Sequence, residues 1–202
     1  MTNADTILEF WFGKDLSNLD DSTIAGRQSG LWWGKDAAVD ADIRKRFEPQ
    51  VQAAGGGKLE GWKSSPEGCL ALILLVDQFP RNIYRDTPGM FRFDERARTL
   101  TLEGLDAGMD RQLRLIQRVF FYLPLEHSES WDDQARCVEL MRNLVADAPD
   151  AQKKTFETFV DYAVAHQKIV ERFGRFPHRN EILGRESSTE EIEFLGQPGS
   201  SF

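Results

Sequence analysis

The sequence predicts an all-α protein of seven or more helices, arranged as stacked antiparallel helical hairpins. Apolar residues recur every three or four positions in segment after segment, which is the spacing of an amphipathic helix. Residue types that favour helix ends flank these segments, and no segment alternates apolar and polar residues as a half-buried strand does. No low-complexity linker divides the 202 residues. We therefore expect a single domain over residues 1–202, with a core from about 5 to 195 and a loose tail over 197–202.

Two helices are predicted in the first quarter of the chain. The first has Asn3 or Asp5 as its N-cap and stops at Gly13. Its apolar residues are Ile7, Leu8, Trp11 and Phe12. The second has an apolar residue at every fourth position, a kink at Pro49, and a run of three glycines at 55–57 where it ends. These apolar residues are Val39, Ile43, Phe47 and Val51.

The most apolar helix is predicted from Pro66 to Gln78. Ser65 and Pro66 are a favourable pair for the N-cap and the first helical position. The segment is apolar on most faces, with Leu70, Leu72, Ile73, Leu74, Leu75 and Val76. A helix that is apolar on all sides belongs at the centre of a bundle, so we expect this one to be the core element.

The next two predicted helices follow at once. One begins at Asp94 and reaches Leu105, and the other is closed by Pro124. The apolar stripe of the second consists of Leu113, Ile116, Val119 and Phe120.

Three more helices complete the prediction. Ser128 or Ser130 caps the first of them, and Asp150 opens the longest helix of the chain, which Gly174 ends. A capping box at 188–191 begins a short final helix. The inward faces of the first two consist of Ala135, Val138, Met141 and Val145, and of Phe156, Phe159, Ala163, Val170 and Phe173.

Charge, cysteine content and hydropathy restrict the classes of function. A net charge of −8 repels phosphate backbones, so we expect no nucleic-acid partner. The longest apolar run, from Cys69 to Val76, is too short to span a bilayer, and the amino terminus lacks a signal-peptide pattern. We therefore expect a cytoplasmic protein without a membrane partner. Cys69 and Cys137 lie among apolar residues and are predicted to be buried thiols.

Asp77 is the most informative candidate residue. It lies on the apolar stripe of Leu70, Ile73 and Leu74, in the last turn of its helix, where the helix dipole disfavours a negative charge. A carboxylate with both penalties needs a cation or several hydrogen-bond donors beside it. Arg81 is the nearest candidate in the chain, and the same pattern is also typical of a purely structural buried ion pair.

A second group of candidates comes from a short internal repeat. The phrase Phe79-Pro80-Arg81-Asn82 follows the central helix, and Phe176-Pro177-His178-Arg179-Asn180 follows the longest one. Such a repeat is typical of stacked helical-hairpin units. We expect Asp77 to meet arginines across the two helix ends, with Arg81, Arg175 and Arg179 as the candidates. Arginines beside aromatic rings suit carboxylate or phosphate recognition, although they can also pair with the surplus acidic residues. The ligand-binding candidates are Arg81, Asn82, Arg175, Arg179, Asn180, Trp32 and Trp33.

The three histidines are candidates for acid–base chemistry. His127 lies at a helix boundary, His166 lies on an inward face, and His178 lies in the arginine-rich phrase. Each of them can instead be a hydrogen-bonded core residue. With Asp77 and Glu129 they form the set of catalytic candidates. No pair has the close spacing of zinc ligands, and no nucleophile or nucleotide-binding motif is present, so we expect neither a metal nor a cofactor.

Several phrases together resemble a known family, the mainly bacterial domain of unknown function 924. They run in the family's order and are Leu8-Glu9-Phe10-Trp11-Phe12-Gly13, Trp32-Trp33, Leu75-Val76-Asp77-Gln78-Phe79-Pro80-Arg81-Asn82-Ile83-Tyr84-Arg85, Phe121-Tyr122-Leu123-Pro124-Leu125-Glu126-His127-Ser128-Glu129 and Arg172-Phe173-Gly174-Arg175-Phe176-Pro177-His178-Arg179-Asn180. The similarity extends from about Ile7 to Leu195. It implies a tetratricopeptide-like helical fold and no particular reaction. The chain departs from the family at Glu126, where methionine is usual, which questions an apolar contact there.

Two functional hypotheses follow from these observations. The first is a tetratricopeptide-like binding scaffold for a peptide, a partner or a small anionic ligand, and the absence of a nucleophile motif favours it. The second is an enzyme that acts on a small anionic substrate with a histidine as acid or base and arginines as anion anchors. An enclosed pocket where the polar candidates converge would favour the enzyme, and an open groove would favour the scaffold.

Overall fold

The computed structural model describes residues 3–14 and 16–201, so Phe202, the end of the predicted tail, and residues 1–2 lie outside it. Across the described residues the secondary structure consists of α-helices and short 3₁₀ turns, without a strand. The α-helices are α1 (Ala4–Phe12), α2 (Asp21–Trp33), α3 (Ala37–Gly55), α4 (Pro66–Val76), α5 (Gln78–Ile83), α6 (Asp94–Asp106), α7 (Leu115–Glu126), α8 (Trp131–Asp147), α9 (Lys153–Phe173), α10 (Asn180–Leu183) and α11 (Thr189–Leu195). The prediction of an all-α protein with seven or more helices is therefore confirmed.

The helix ends lie where capping residues occur in the sequence. The side chains of Asn3 and Ser65 cap α1 and α4 by accepting hydrogen bonds from backbone N–H groups. Ser188 and Glu191 form the predicted capping box at the start of α11. Gly174 ends α9 with a φ of +66°, a left-handed conformation that glycine adopts without the strain of a side chain.

The centre of the molecule is α4, as predicted. Every residue from Gly68 to Val76 is buried, and α4 packs against α1, α3, α5, α6 and α7. Neighbouring helices surround it because its apolar residues point in all directions and no face can be left to water. The predicted tetratricopeptide-like stacking of hairpins stays a prediction.

The predicted central helix is shorter than expected. It ends at Val76, and Asp77, with φ −109° and ψ −60°, separates it from α5. The prediction that Pro124 closes its helix is wrong, because α7 continues to Glu126. A proline near the end of a helix removes a single N–H, and the His127 N–H still bonds the Leu123 carbonyl at 2.9 Å beyond it.

Two other elements differ from the prediction. Helix α2 was not predicted, because it has few apolar residues and buries mainly Ile24 and Trp32. Its N-cap was nevertheless available, because Asp20 accepts the Thr23 N–H at 2.7 Å. The longest helix begins at Lys153 rather than at Asp150, since residues 150–152 form a 3₁₀ turn.

The cysteines and the longest helices agree with the expectations from composition. Cys69 and Cys137 are both buried and free, so the prediction of buried thiols is confirmed. No helix in the described part of the chain combines the length and apolar content needed to cross a membrane.

Candidate functional site

The candidate site is centred on Asp77, at the junction of α4 and α5. Its side chain is 0% exposed. Oδ1 accepts a hydrogen bond from His127 Nδ1 at 2.7 Å and lies 3.2 Å from Arg81 Nη1, and Oδ2 accepts a hydrogen bond from Gln78 Nε2 at 2.6 Å. The cation that the sequence required beside this carboxylate is therefore Arg81, and His127 joins it from the residue that follows α7.

Asp77 is ionised at neutral pH. Burial raises its pKa, but the charges of Arg81 and His127 and the hydrogen bonds from His127 and Gln78 outweigh burial and hold the pKa below its usual range. An ionised carboxylate can only accept hydrogen bonds. The proton in the short contact to His127 therefore belongs to Nδ1 of the histidine.

His127 is held as a neutral ring with one defined tautomer. Burial and then the charge of Arg81 lower its pKa, and these effects exceed the opposite effect of Asp77. Because Nδ1 carries the proton, Nε2 of the neutral ring carries a lone pair. Nε2 lies on the side of the ring away from Asp77, and the side chain of His127 remains 15% exposed. The arrangement therefore leaves Nε2 as the proton acceptor of the ring.

The turn that carries His127 is fixed by one buried amide. Gln134, in the first turn of α8, is fully buried. Its Nε2 lies 2.6 Å from the Glu126 carbonyl, 2.7 Å from the Ser128 carbonyl and 3.3 Å from the Leu125 carbonyl. These carbonyls flank His127 on both sides, so Gln134 ties the end of α7 to α8 and sets the position of the ring.

A cleft of about 170 Å³ opens beside His127. Its charged and titratable lining residues are Asp94, Glu95, Arg98, His127, Glu129 and Arg179. Most of these charges are already paired through two parallel hydrogen bonds. Arg81 binds Asp94 at 2.9 and 3.1 Å, and Arg185 binds Glu129 at 2.8 and 3.0 Å.

Arg179 is the exception among these charges. Its side chain lies over the faces of two aromatic rings, with Cζ 4.4 Å from the centroid of Phe176 and 4.8 Å from that of Phe91. The residue is 7% exposed, and its ion pair with Asp94, from Nη1 to Oδ2, is 3.7 Å long. Burial and the nearby charge of Arg81 lower the pKa of Arg179 to about 10, so the guanidinium remains protonated at neutral pH.

A second buried pair lies behind His127. Glu126 Oε1 is 3.4 Å from His166 Nδ1, which donates a hydrogen bond to the Tyr162 carbonyl at 2.9 Å. Burial, and then the charge of Asp77, raise the pKa of Glu126 to about 8. Burial lowers the pKa of His166 to about 3 and that of His178 to about 4. At neutral pH this layer is mainly uncharged.

The structure gathers several of the predicted residues in and beside this cleft: Asp77, Arg81, His127, Glu129, His166, His178 and Arg179. It places others elsewhere. Asn82 donates to Asp40 at 2.9 Å on α3. The expected approach of Arg175 to Asp77 does not occur, because Arg175 forms two hydrogen bonds to Glu191, at 2.7 and 2.8 Å.

The remaining ligand-binding candidates have structural contacts. Asn180 follows Arg179 but is buried and donates to Ser187 Oγ at 3.0 Å. Trp32 is buried and donates from its indole to the Trp11 carbonyl at 2.9 Å. Trp33 is 51% exposed and stacks on the aromatic core at Phe120, at a ring distance of 5.8 Å.

Four further residues shape the site and are not among the candidates that the sequence predicts. Phe91 and Asp94 surround the guanidinium groups of Arg81 and Arg179, Gln134 positions the histidine, and Arg98 lines the cleft. The sequence predicts Asp94 only as the start of a helix. For the other three the sequence gives no local signal, because each acts through contacts with residues far along the chain.

Metal ligation is not suggested by the side-chain arrangement. Over residues 3–14 and 16–201, no three His, Cys, Asp or Glu side chains cluster as ligands of a metal ion would.

Comparison with known proteins gives a family and a related structure. A family model described as "Bacterial protein of unknown function (DUF924)" matches residues 7–199. A protein of unknown function from Agrobacterium tumefaciens, ATU0120, has a similar structure with a TM-score of 0.79 and 38% sequence identity. The similarity covers 95% of this chain and 96% of that one. Among curated proteins the sequence has no match.

Proposed function

The chain belongs to the DUF924 family of bacterial proteins of unknown function, and we propose that it is an enzyme with His127 as its general base. The observation that carries this proposal is the contact of His127 Nδ1 with the buried, ionised carboxylate of Asp77 at 2.7 Å. The contact fixes the tautomer and the orientation of the ring and leaves Nε2 as the proton acceptor.

The pair of residues can carry a proton through a reaction cycle. When Nε2 of His127 takes a proton from a bound substrate, the ring becomes a cation. Asp77 stabilises that cation through the hydrogen bond that it already accepts, as the carboxylate of a histidine–aspartate pair does in hydrolytic enzymes. The lowered pKa keeps the histidine unprotonated before the reaction, which a base requires.

The cleft also supports an enzyme over a scaffold. The sequence hypotheses favoured the scaffold and named the enzyme as the alternative. A peptide or partner needs an extended surface, whereas about 170 Å³ suits a molecule of a few atoms. Arg179 and His127 line this small cleft together, so an anionic substrate held by the arginine lies beside the base.

Histidine NMR tests the state of the base directly. We expect His127 in the folded protein to be neutral at pH 7, with its proton on Nδ1 and a pKa below that of a free histidine. Asp77→Asn should remove the preference for this tautomer while the ring remains in place. A protonated ring at pH 7, or a proton on Nε2, contradicts the proposal.

A reaction screen tests the activity. The purified protein is incubated with small anionic compounds, and their conversion is followed by proton NMR. For any compound that is converted, His127→Gln should reduce the rate by at least about 100-fold, which is within the range that general-base catalysis contributes. Unchanged turnover in His127→Gln would remove His127 from the reaction. His178→Gln is the matched histidine control, since the ring of His178 packs on Phe176 at a centroid distance of 5.6 Å.

A further inference from the structure

We infer that the cleft beside His127 binds a small monocarboxylate through the guanidinium of Arg179. This inference rests on the proposed function and names the class of its substrate. It starts from the pairing of the charges that line the cleft. Asp94, Arg98 and Glu129 each share two hydrogen bonds with an opposite charge, and Glu95 is largely exposed to water.

Arg179 has no such partner within the part of the chain that the structure describes. Its Nε forms no hydrogen bond, and its contact with Asp94 is longer than a hydrogen bond at 3.7 Å. At the same time the residue is more than nine-tenths buried and lines the cleft. A buried cation without hydrogen bonds is costly, and an anion in the cleft would supply the missing acceptors.

The surroundings of Arg179 select the shape of that anion. Phe91 and Phe176 lie within 5 Å of its Cζ and cover much of the guanidinium surface. Because the rings cover its faces, the guanidinium of Arg179 can bind a ligand through the N–H groups along its edge. Two parallel N–H donors match the two oxygens of a planar carboxylate.

The charge and volume of the cleft narrow the class further. Its lining contains three carboxylates, those of Asp94, Glu95 and Glu129, against the two guanidinium groups of Arg98 and Arg179. A dianion such as a phosphate ester therefore meets more repulsion than a monoanion does. The volume of about 170 Å³ is below the range of pockets that hold drug-sized ligands, which indicates an acid of only a few carbon atoms. With its carboxylate on Arg179, the rest of such an acid extends toward His127.

Binding of simple salts tests the inference. Sodium propionate, inorganic phosphate and neutral propionamide are titrated at constant ionic strength into the isotope-labelled protein. The Nε–H signal of Arg179 and the backbone signals around the cleft are followed by NMR. We expect saturable binding of propionate with a shift of the Arg179 signal, at least tenfold weaker binding of phosphate, and no binding of propionamide. Equal or tighter binding of phosphate, or no saturable binding of propionate, overturns the inference.

Variants assign the binding to Arg179. Arg179→Lys keeps the positive charge but loses the paired donors, so propionate affinity should fall at least tenfold. Arg172→Gln is the matched control, because Arg172 is an exposed arginine whose partner is Glu190, and it should bind propionate as the wild type does. Binding by Arg179→Lys equal to that of the wild type contradicts the inference. The wild-type titration decides by itself if Arg179→Lys does not fold.

One further variant separates this inference from the proposed function. His127→Gln should retain propionate binding within about threefold, since the carboxylate contacts Arg179 rather than the histidine. If the wild type does not bind propionate while its His127 is neutral and protonated on Nδ1, the carboxylate site is refuted and the general base is not. If the wild type binds propionate but its His127 is a protonated ring at pH 7, the general base is refuted and the carboxylate site is not.

Discussion

At Asp77, three donors from two parts of the chain meet one fully buried carboxylate. Removing such a charge from water is expensive, and Arg81, His127 and Gln78 offset that cost through short contacts with both oxygens. Arg81 also binds Asp94, so the two carboxylates share one guanidinium. The state of His127 therefore depends on a charge network and not on a single pair.

The first prediction concerns the coupling in this network. Asp77→Ala should lower the free energy of unfolding by about 3–5 kcal/mol, because it leaves buried donors without their acceptor. In a double-mutant cycle with Arg81→Ala, urea denaturation should give an interaction of about 0.5–3 kcal/mol. The control cycle pairs Asp77→Ala with Arg175→Ala, and its effects should add because Arg175 binds Glu191. Additive effects of Asp77→Ala and Arg81→Ala would contradict the described contacts.

The second prediction concerns Glu126 and pH. Three titratable groups face it: Asp77 at the α4–α5 junction, His166 on α9 and Cys137 on α8. Its pKa is raised to about 8, so the folded state binds a proton that the unfolded state releases near the usual value of 4.5. The stabilising effect of this proton is complete below pH 4.5 and is lost as the pH rises through 8.

Substitution of Glu126 should remove this dependence. His166 and His178 have pKa values lowered to about 3 and about 4, so their own effect on stability is nearly complete above pH 6.5. Between pH 6.5 and 8 the wild type should therefore lose on the order of 1–2 kcal/mol of unfolding free energy through Glu126. Glu126→Gln should not show that loss. Denaturant titrations at pH 6.5 and 8 measure the unfolding free energy of both proteins. An equal loss in the wild type and in Glu126→Gln would contradict the prediction.

Single residues were predictable where they broke a pattern. Asp77 was found because a carboxylate interrupted an apolar stripe at an unfavourable helix end, and the structure gives it the cation that this position requires. Arg179 was found through the repeated phrase. The ring of Phe91, which covers Arg179, was not predictable, because the four helices α6 to α9 separate the two residues along the chain and the contact exists only in the folded protein.

At the scale of helices, the site is made from their ends. Asp77 separates α4 from α5, Asp94 begins α6, His127 follows α7, and Arg179 precedes α10. Helix ends carry backbone groups without helical partners, so polar side chains gather there for structural reasons. Gln134 is an example, since it satisfies the carbonyls around His127 and so connects α7 to α8.

The third prediction concerns this connection. Gln134→Leu keeps a similar volume but leaves the carbonyls of Glu126 and Ser128 without their buried donor. We expect a loss of about 1–3 kcal/mol in the free energy of unfolding. We also expect the NMR signals of His127 to broaden as its turn loosens. Gln52→Leu is the matched control, because its hydrogen bond to Tyr84 is exposed and its loss should cost under about 0.5 kcal/mol. Equal costs in the two variants would contradict the role of Gln134.

Helices were predictable in proportion to the apolar area that they bury. Nine of the eleven residues of α4 are buried, and its sequence identified it without ambiguity. By contrast, α2 buries little beyond Ile24 and Trp32 and contains two glycines and two serines. Its stability comes from packing on α1 and α7, and these contacts cannot be predicted from the apolar pattern of the segment itself.

At the scale of the whole molecule, the buried apolar residues form a large main core and a separate, smaller cluster. The main core extends from α1 into α9, while Ile169, Val170 and Phe176 form a separate cluster under the last helices. Glu129 links the two parts. It accepts the N–H of Phe176 at 2.8 Å and binds Arg185 through both oxygens.

The fourth prediction concerns this link. Glu129→Ala should loosen residues 175–196 and leave the main core intact, because charged hydrogen bonds of this kind contribute about 1.5–3 kcal/mol. Amide hydrogen exchange should accelerate by about tenfold or more in that segment, with unchanged rates in α4. Glu190→Ala removes an exposed pair with Arg172 and is the control. Uniform acceleration throughout the chain would contradict a separate unit.

Acid should act on the same link. Burial raises the pKa of Glu129, but the hydrogen bonds from Arg185 and Phe176 outweigh burial and lower it below the usual 4.5. Its contribution to stability is therefore present above pH 4.5 and is lost as the pH falls through the lowered value.

The distribution of the site over these two units has an evolutionary consequence. The proposed base is fixed by α4, α7 and α8, whereas Arg179 belongs to the segment that follows α9. The proposed base and the proposed carboxylate site are thus encoded in different stretches of the gene. If both proposals hold, mutations after residue 174 change which molecule is accepted without altering the proton acceptor. Paralogues that diverge in this terminal stretch are therefore expected to share one reaction and to differ in the acids on which they act.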